Sequence, residues 1–155
     1  MLTCYFENGG KASLRHVIID TLVLKGNEIL LVKRSKQILE GGKWAIVGGF
    51  VARDETIREA VAREVMEETG YAIKDITFLT VNDSPNRPHE DRQNIAFVFF
   101  AQALEKERKP DWESSEQKWF PLDALPKEEE IAFDHFYDIN LYIDYKNTGK
   151  KLPVI

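Results

Sequence analysis

From His16 to Leu24 the chain is rich in Val, Ile, Leu and Thr, a composition that predicts a strand. Lys25-Gly26-Asn27-Glu28 reads as a hairpin turn, and Ile29 to Val32 as the returning strand. A polar loop, Ser35 to Lys43 with Gly41-Gly42, leads to a short apolar strand, Trp44 to Val47, which Gly48-Gly49 is expected to break. Thr56-Ile57-Arg58-Glu59 has the form of a capping box opening a helix, and Gly70 is placed to end it after Thr69. Further strands are expected around Ile76–Val81, Ile95–Ala103 and Gln117–Phe120, with a long polar loop from Asn82 to Arg92. A second long helix is expected over Glu128–Tyr145. Residues 1–13 are weakly patterned, with Gly9-Gly10 as a turn. Strands mixed with two helices predict a sheet packed between helices.

Composition narrows the classes. The chain has 155 residues, 43% hydrophobic and 30% charged, which fits one globular domain spanning 1–155 and excludes a fibrous repeat. Its 21 basic and 26 acidic residues give a net charge of −5, unsuited to gripping duplex nucleic acid through phosphate neutralisation. No nucleic-acid partner is therefore expected. Cys4 is the one cysteine, so no intrachain disulfide and no cysteine zinc cluster can form. The opening Met1 to Glu7 lacks the basic-then-apolar pattern of a secretory signal, and no apolar run approaches the roughly 20 residues that span a bilayer. A cytoplasmic protein without a membrane partner is the expectation.

The chemistry concentrates in residues 49–71, GFVARDETIREAVAREVMEETGY. Glu64, Glu67 and Glu68 stand at i, i+3 and i+4 of the predicted helix, so their side chains fall within an arc of about 100°. Like charges at this spacing repel unless a cation joins them, and hard divalent ions favour carboxylate oxygens. A solvated acidic face is the plain alternative. It expects the acids opposite the apolar residues, yet Ile57, Ala60 and Val61 point to nearly the same side as Glu64 and Glu68, with Val65 and Met66 on a separate buried face. Such a stripe suits a half-covered cleft. Gly48 and Gly49 allow backbone to approach a metal or phosphate, and Arg63 can pair with Glu55 to fix the loop against the helix.

Gly49, Glu55 and then Arg63-Glu64-Val65-Met66-Glu67-Glu68-Thr69-Gly70-Tyr71 match, at every specified position, the Nudix box G-x5-E-x7-R-E-U-x-E-E-x-G-U, where U is apolar. The chain thus resembles the Nudix hydrolases. The resemblance implies an α+β fold, an α/β/α sandwich with a mixed parallel and antiparallel sheet between helices. It implies hydrolysis of a nucleoside diphosphate linked to another group, with Mg²⁺ or Mn²⁺ as cofactor. The metal ligands it points to are Glu64, Glu67, Glu68 and a backbone carbonyl at Gly48 or Gly49. Glu64 and Glu68 are expected to be catalytic. A general base from a distant loop is also implied, for which Glu113 and Glu116 are the candidates. Glu55, Arg63 and Gly70 are expected to hold the geometry of the motif.

Trp44 to Val51 is similar to the W-A-L-P-G-G-F-V stretch of ADP-ribose pyrophosphatase-like members, with Val47 in place of proline. Trp119-Phe120-Pro121-Leu122 and Ala132-Phe133-Asp134-His135 also resemble late segments of that subgroup. ADP-ribose or a related dinucleotide is thereby the favoured small-molecule substrate. Nucleoside triphosphates, sugar nucleotides and a non-catalytic sensor of ADP-ribose-like ligands are the alternatives. Arg34, Arg87 and Arg92 are phosphate-binding candidates, Gly49 a substrate contact, and His89 a loop acid or base. Period-two alternation puts Phe97 and Phe99 on one face and Phe100 on the other, as core or as base-stacking residues. A homodimer paired through the N-terminal segment is a further expectation by analogy.

Overall fold

The structure, a computed structural model, describes residues 2–88, 92–112, 114–149 and 151–153. His89 and Glu113 lie outside the described residues. The strands are β1 (Leu2–Tyr5), β2 (Lys11–Leu14), β3 (Val17–Lys25), β4 (Glu28–Arg34), β5 (Trp44–Ala45), β6 (Val47–Phe50), β7 (Tyr71–Asn82), β8 (Ile95–Lys106) and β9 (Ser114–Pro121). The helices are α1 (Ile57–Thr69) and α2 (His135–Thr148). β1 and β2 form a separate antiparallel hairpin. The other strands make one seven-stranded sheet, ordered β5-β4-β3-β8-β7, with β6 also pairing β3 and β9 also pairing β4. β3 and β8 run parallel and the remaining pairs antiparallel, so the sheet is mixed as expected.

Side-chain alternation along β3 explains why a layer covers each face. Ile19 packs with Ala60 and Val61 of α1, while Leu22 and Leu24 pack with Ile139 and Tyr142 of α2. β8 repeats the rule. Phe99, with Phe97, packs in the α1 layer and meets Phe78, whereas Phe100 stacks on Tyr142 and Tyr145 of α2. These phenylalanines are therefore core residues on both sides of the sheet, divided as the alternation predicts. In α1, Val65 is buried but Met66 is half-buried, so the expected second apolar face reduces to Val65 beside the main stripe.

Both ends of α1 are set locally. The Thr56 hydroxyl accepts from the Glu59 N–H at 3.3 Å, and the Glu59 carboxylate accepts from the Thr56 N–H at 2.7 Å. Gly70 takes a left-handed φ of 77°, and its N–H reaches the Met66 carbonyl at 3.0 Å. The last carbonyls of a helix lack partners within it. Here the chain around and beyond the end of β8 supplies them: the Arg108 Nε donates to Met66, the Asp111 N–H to Glu67 and the Gln117 amide to Glu68.

The expected turn at Gly9-Gly10 closes an N-terminal hairpin, through bonds between Phe6, Gly9 and Gly10. Three expectations are corrected. Gly48 and Gly49 lie inside β6, where they pair with Asp20 and Ile19 of β3; the break comes two residues earlier, at Ile46. β7 starts directly after α1, since the left-handed turn at Gly70 sends the chain straight into the sheet. The second helix begins at His135 rather than Glu128. A single 3-10 turn, Glu128–Glu130, gives way to extended backbone at Ile131, because Ile131 bridges to Trp44 and the Ala132 N–H bonds to the Trp44 carbonyl at 2.7 Å.

Gly70 carries a prediction. A Cβ there would run into the Arg108 carbonyl, and the left-handed φ already disfavours any other residue. Gly70→Ala should lower the unfolding free energy by about 2 kcal/mol or more. Urea denaturation followed by circular dichroism measures this, and an unchanged midpoint would refute the requirement for glycine at this position.

Candidate active site

A cavity of about 440 Å³ opens where β6, the C-terminal half of α1 and the turn before α2 meet. One wall is built by β6 and α1. Gly49 has no side chain, and a Cβ there would collide with the Glu64 carboxylate. The glycine thus lets an acid rest directly on the strand. Arg63 organises the acids around it. Its Nε and one terminal nitrogen hold Glu55 in a fork, at 3.0 and 2.7 Å. The other terminal nitrogen lies 2.7 Å from Glu64 Oε1 and 3.1 Å from Glu67 Oε2. The fork also donates to the Phe50 carbonyl at 3.0 Å. Glu55 accepts from the Ala52 N–H at 2.6 Å. The bond from Arg63, aided by that from Ala52, lowers the Glu55 pKa from 4.5 to about 2.

Glu68 is buried, and its Oε1 accepts from the Gly48 N–H at 3.3 Å. Glu64 and Glu67 line the cavity, and the Glu67 side chain is 41% exposed. Among the described residues, no three acidic or imidazole groups converge closely enough to enclose an ion. Arg63 instead supplies the positive charge between Glu64 and Glu67. The donor set still fits a hard divalent cation: carboxylate oxygens, a backbone cradle emptied of Cβ atoms, and an open cavity for phosphate or water.

The other wall was less visible in the sequence. Asp20 of β3 stands opposite Gly48, where a Cβ would strike its Oδ1. Arg87, from the loop after β7, is buried, 3.2 Å from Asp20 and 2.8 Å from Asp134. His135 Nε2 is 3.6 Å from Asp20 Oδ1. Burial raises the Asp20 pKa against the pull of Arg87, and burial followed by the Arg87 charge keeps His135 well below its ordinary value. Phe133 stands in the left-handed region at φ 53°, with the guanidiniums of Arg34 and Arg87 over its ring at 5.0 and 5.2 Å.

Of the predicted site residues, Arg34, Gly48, Gly49, Arg63, Glu64, Glu67, Arg87 and Arg92 come together on the cavity. Glu116 does not. It projects from β9 beside Lys33 at 3.6 Å, 53% exposed, on the strand edge. Asp111 lies on the cavity, and sequence reasoning missed it, as it missed Asp20 and Phe133 as site residues. Asp20 did leave a signal: it is the one charged residue in the apolar run from Val17 to Leu24.

The NUDIX domain model matches residues 14–138. The chain belongs to the Nudix family. It is 39% identical over 131 residues to an ADP-ribose pyrophosphatase of Methanocaldococcus jannaschii, covering 84% of this chain and 75% of that protein. It is 32% identical to the NAD-capped RNA hydrolase NudC of Vibrio cholerae over 67% of this chain, but spans just 36% of that longer protein. A Nudix hydrolase structure from Nitrosomonas europaea superposes with a TM-score of 0.78 at 23% identity, covering 99% of this chain and 90% of the other. A bifunctional NMN adenylyltransferase/ADP ribose pyrophosphatase from Francisella tularensis, complexed with AMP and a Mn ion, gives 0.67 at 26% identity over 86% of this chain and 43% of that one. The α+β architecture with its mixed sheet is the Nudix fold.

The Glu55–Arg63 fork makes the Nudix loop acid-sensitive. The folded Glu55 carboxyl titrates near 2 and the unfolded one near 4.5, so its stabilisation is complete above pH 4.5 and is lost as pH falls toward 2. Glu55→Gln should therefore melt below the wild type at pH 7, with the gap closing across that acid window. Parallel melting curves at both pH extremes would contradict this.

Proposed function

We propose that the chain hydrolyses the pyrophosphate bond of a nucleoside diphosphate linked to a second group, with ADP-ribose or a related dinucleotide as the favoured substrate. The observation that carries the reading is the shared cavity. Glu64, Glu67 and the Gly49 backbone line this space, and four arginines reach it, Arg34 from β4, Arg63 from α1, and Arg87 and Arg92 from the loop between β7 and β8. Such an arrangement suits a polyphosphate whose charge is divided between a cation and guanidiniums. The 39% identity to an ADP-ribose pyrophosphatase supports the substrate class.

Glu64, Glu67 and Glu68, with the Gly48 carbonyl, would hold Mg²⁺ or Mn²⁺. Bound there, the ion neutralises phosphate oxygens and acidifies a water. Arg63 holds Glu64 and Glu67 and anchors them to Glu55, so the acids stay gathered. Arg34 and Arg92 bind phosphate oxygens from the cavity rim. A carboxylate must also take the proton of the attacking water. Asp111 suits that role better than Glu116: it lines the cavity, and its N–H is bonded to the Glu67 carbonyl at 2.9 Å. Glu64 is the second candidate. Residues 1–155 act as one Nudix domain in this reading, and no described helix is long and apolar enough to cross a membrane.

The test is a substrate panel with Mg²⁺ or Mn²⁺: ADP-ribose, NADH, diadenosine polyphosphates, sugar nucleotides and nucleoside triphosphates. AMP and ribose 5-phosphate are the expected products from ADP-ribose. Glu68→Gln should reduce kcat by about 100-fold or more while the far-ultraviolet circular dichroism stays unchanged. Asp111→Asn should lower kcat with little change in KM. Tight binding of ADP-ribose without any turnover would instead identify a sensor.

A further inference from the structure

The loop between β7 and β8 delivers two of the cavity's arginines, Arg87 and Arg92. The two are held differently. Arg87 is buried and fixed through its own side chain, 3.2 Å from Asp20 and 2.8 Å from Asp134. Arg92 is exposed, and its guanidinium lies over the exposed Phe50 ring at 5.7 Å. A cation over an exposed ring is weakly held. That contact alone does not fix the backbone that carries Arg92.

Arg15, in the link between β2 and β3, holds that backbone. Its Nε donates to the Gln93 carbonyl at 2.5 Å, and one terminal nitrogen donates to the Asp83 carbonyl at 2.6 Å and to the Asn94 carbonyl at 3.0 Å. Asp83 directly follows β7, and Gln93 and Asn94 directly precede β8. One planar group therefore clasps both ends of the loop. Gln93, the neighbour of Arg92, has a left-handed φ of 52°, a conformation that a residue other than glycine keeps where its surroundings enforce it. The Arg15 bond to the Gln93 carbonyl enforces it here. His16 adds a second hold on the same side. Its carbonyl accepts from the Ile95 N–H at 2.8 Å, and its ring meets the Phe50 ring at 5.2 Å, so His16 and Arg92 share one aromatic neighbour. Arg15 does not line the cavity, so it acts there through the loop.

We infer that Arg15 is a positioning residue for the diphosphate: by clasping Asp83 at one end of the loop and Gln93 and Asn94 at the other, it sets the backbone of Arg92 so that this guanidinium stands at the cavity rim. Arg87, anchored by Asp20 and Asp134, does not need the clasp. The inference rests on the reading above, in which Arg92 takes phosphate oxygens.

Arg15→Ala is compared with Arg92→Ala and with the double variant. KM and kcat for ADP-ribose are measured with Mg²⁺, affinity for ADP-ribose by calorimetry without added metal, and backbone order parameters by NMR relaxation. Arg15→Ala should raise KM and weaken binding by about fivefold or more, with kcat within about twofold of the wild type, the pattern of a lost contact to a charged ligand. Arg15→Lys should behave like the alanine variant, since an ammonium lacks the fork that spans both ends of the loop. Adding Arg15→Ala to Arg92→Ala should change KM by less than about twofold, because the two act as one unit. The order parameters of Gln93 and Asn94 should drop from about 0.85 to below about 0.6 in Arg15→Ala, while that of Arg87 holds. Where Arg15→Ala does not fold, Arg15→Lys carries the same comparisons. A wild-type KM in either folded Arg15 variant, losses that multiply in the double variant, or unchanged order parameters would overturn the clasp. If the wild type neither binds nor cleaves ADP-ribose, the diphosphate reading fails, and the order parameters alone then uphold or overturn the hold of Arg15 on the Arg92 backbone.

Discussion

Everything at the glutamate end of the cavity depends on how one helix tolerates its own negative charge. Glu64, Glu67 and Glu68 crowd the last turns of α1, and Glu55 approaches from the preceding loop. Without a partner this gathering would loosen the helix. Arg63 answers with one planar group that touches Glu55, Glu64, Glu67 and the Phe50 carbonyl. A guanidinium can do this because its five donors lie in a fixed plane; an ammonium offers a point charge and fewer directions. The loop, the helix and the strand edge are thereby locked into one body before any ligand arrives. Exchange of Arg63's contacts with Glu64 and Glu67 for a divalent ion would leave its fork on Glu55 intact.

Much of this was legible because its causes are local. The capping box of α1, the glycine that ends it and the period-two pattern of β3 and β8 depend on neighbours within a few residues. The expected bounds of α1 and β3 lie within a residue of the observed ones, and β8 runs three residues further than expected, to Lys106. The split of Phe97 and Phe99 from Phe100 followed from strand geometry. The second helix was misjudged because a distant partner intervenes. Residues Glu128 to Phe133 have no local reason to leave helix, and the bridge from Ile131 to Trp44 draws them into an extended path. β9 likewise extends to Ser114 because it pairs along the whole of β4.

The site divides along the same line. The glutamates sit within five residues and announce themselves by spacing. Asp20, Arg87, Asp111 and His135 are separated by tens of residues and meet only through the parallel pairing of β3 with β8 and the placement of α2. One of them was discoverable, since a lone acid in an apolar strand must have a buried partner. For Asp111 no such signal exists, because it lies in a polar loop like its neighbours.

The carbonyls of Met66, Glu67 and Glu68 are taken by Arg108, Asp111 and Gln117 in the same order along the chain. The helix end therefore works as a ruler. Two side chains, of Arg108 and Gln117, and one backbone N–H, of Asp111, set the height of this segment against three successive helix carbonyls. Asp111 and the glutamates of α1 are thus kept in step by the end of a single helix.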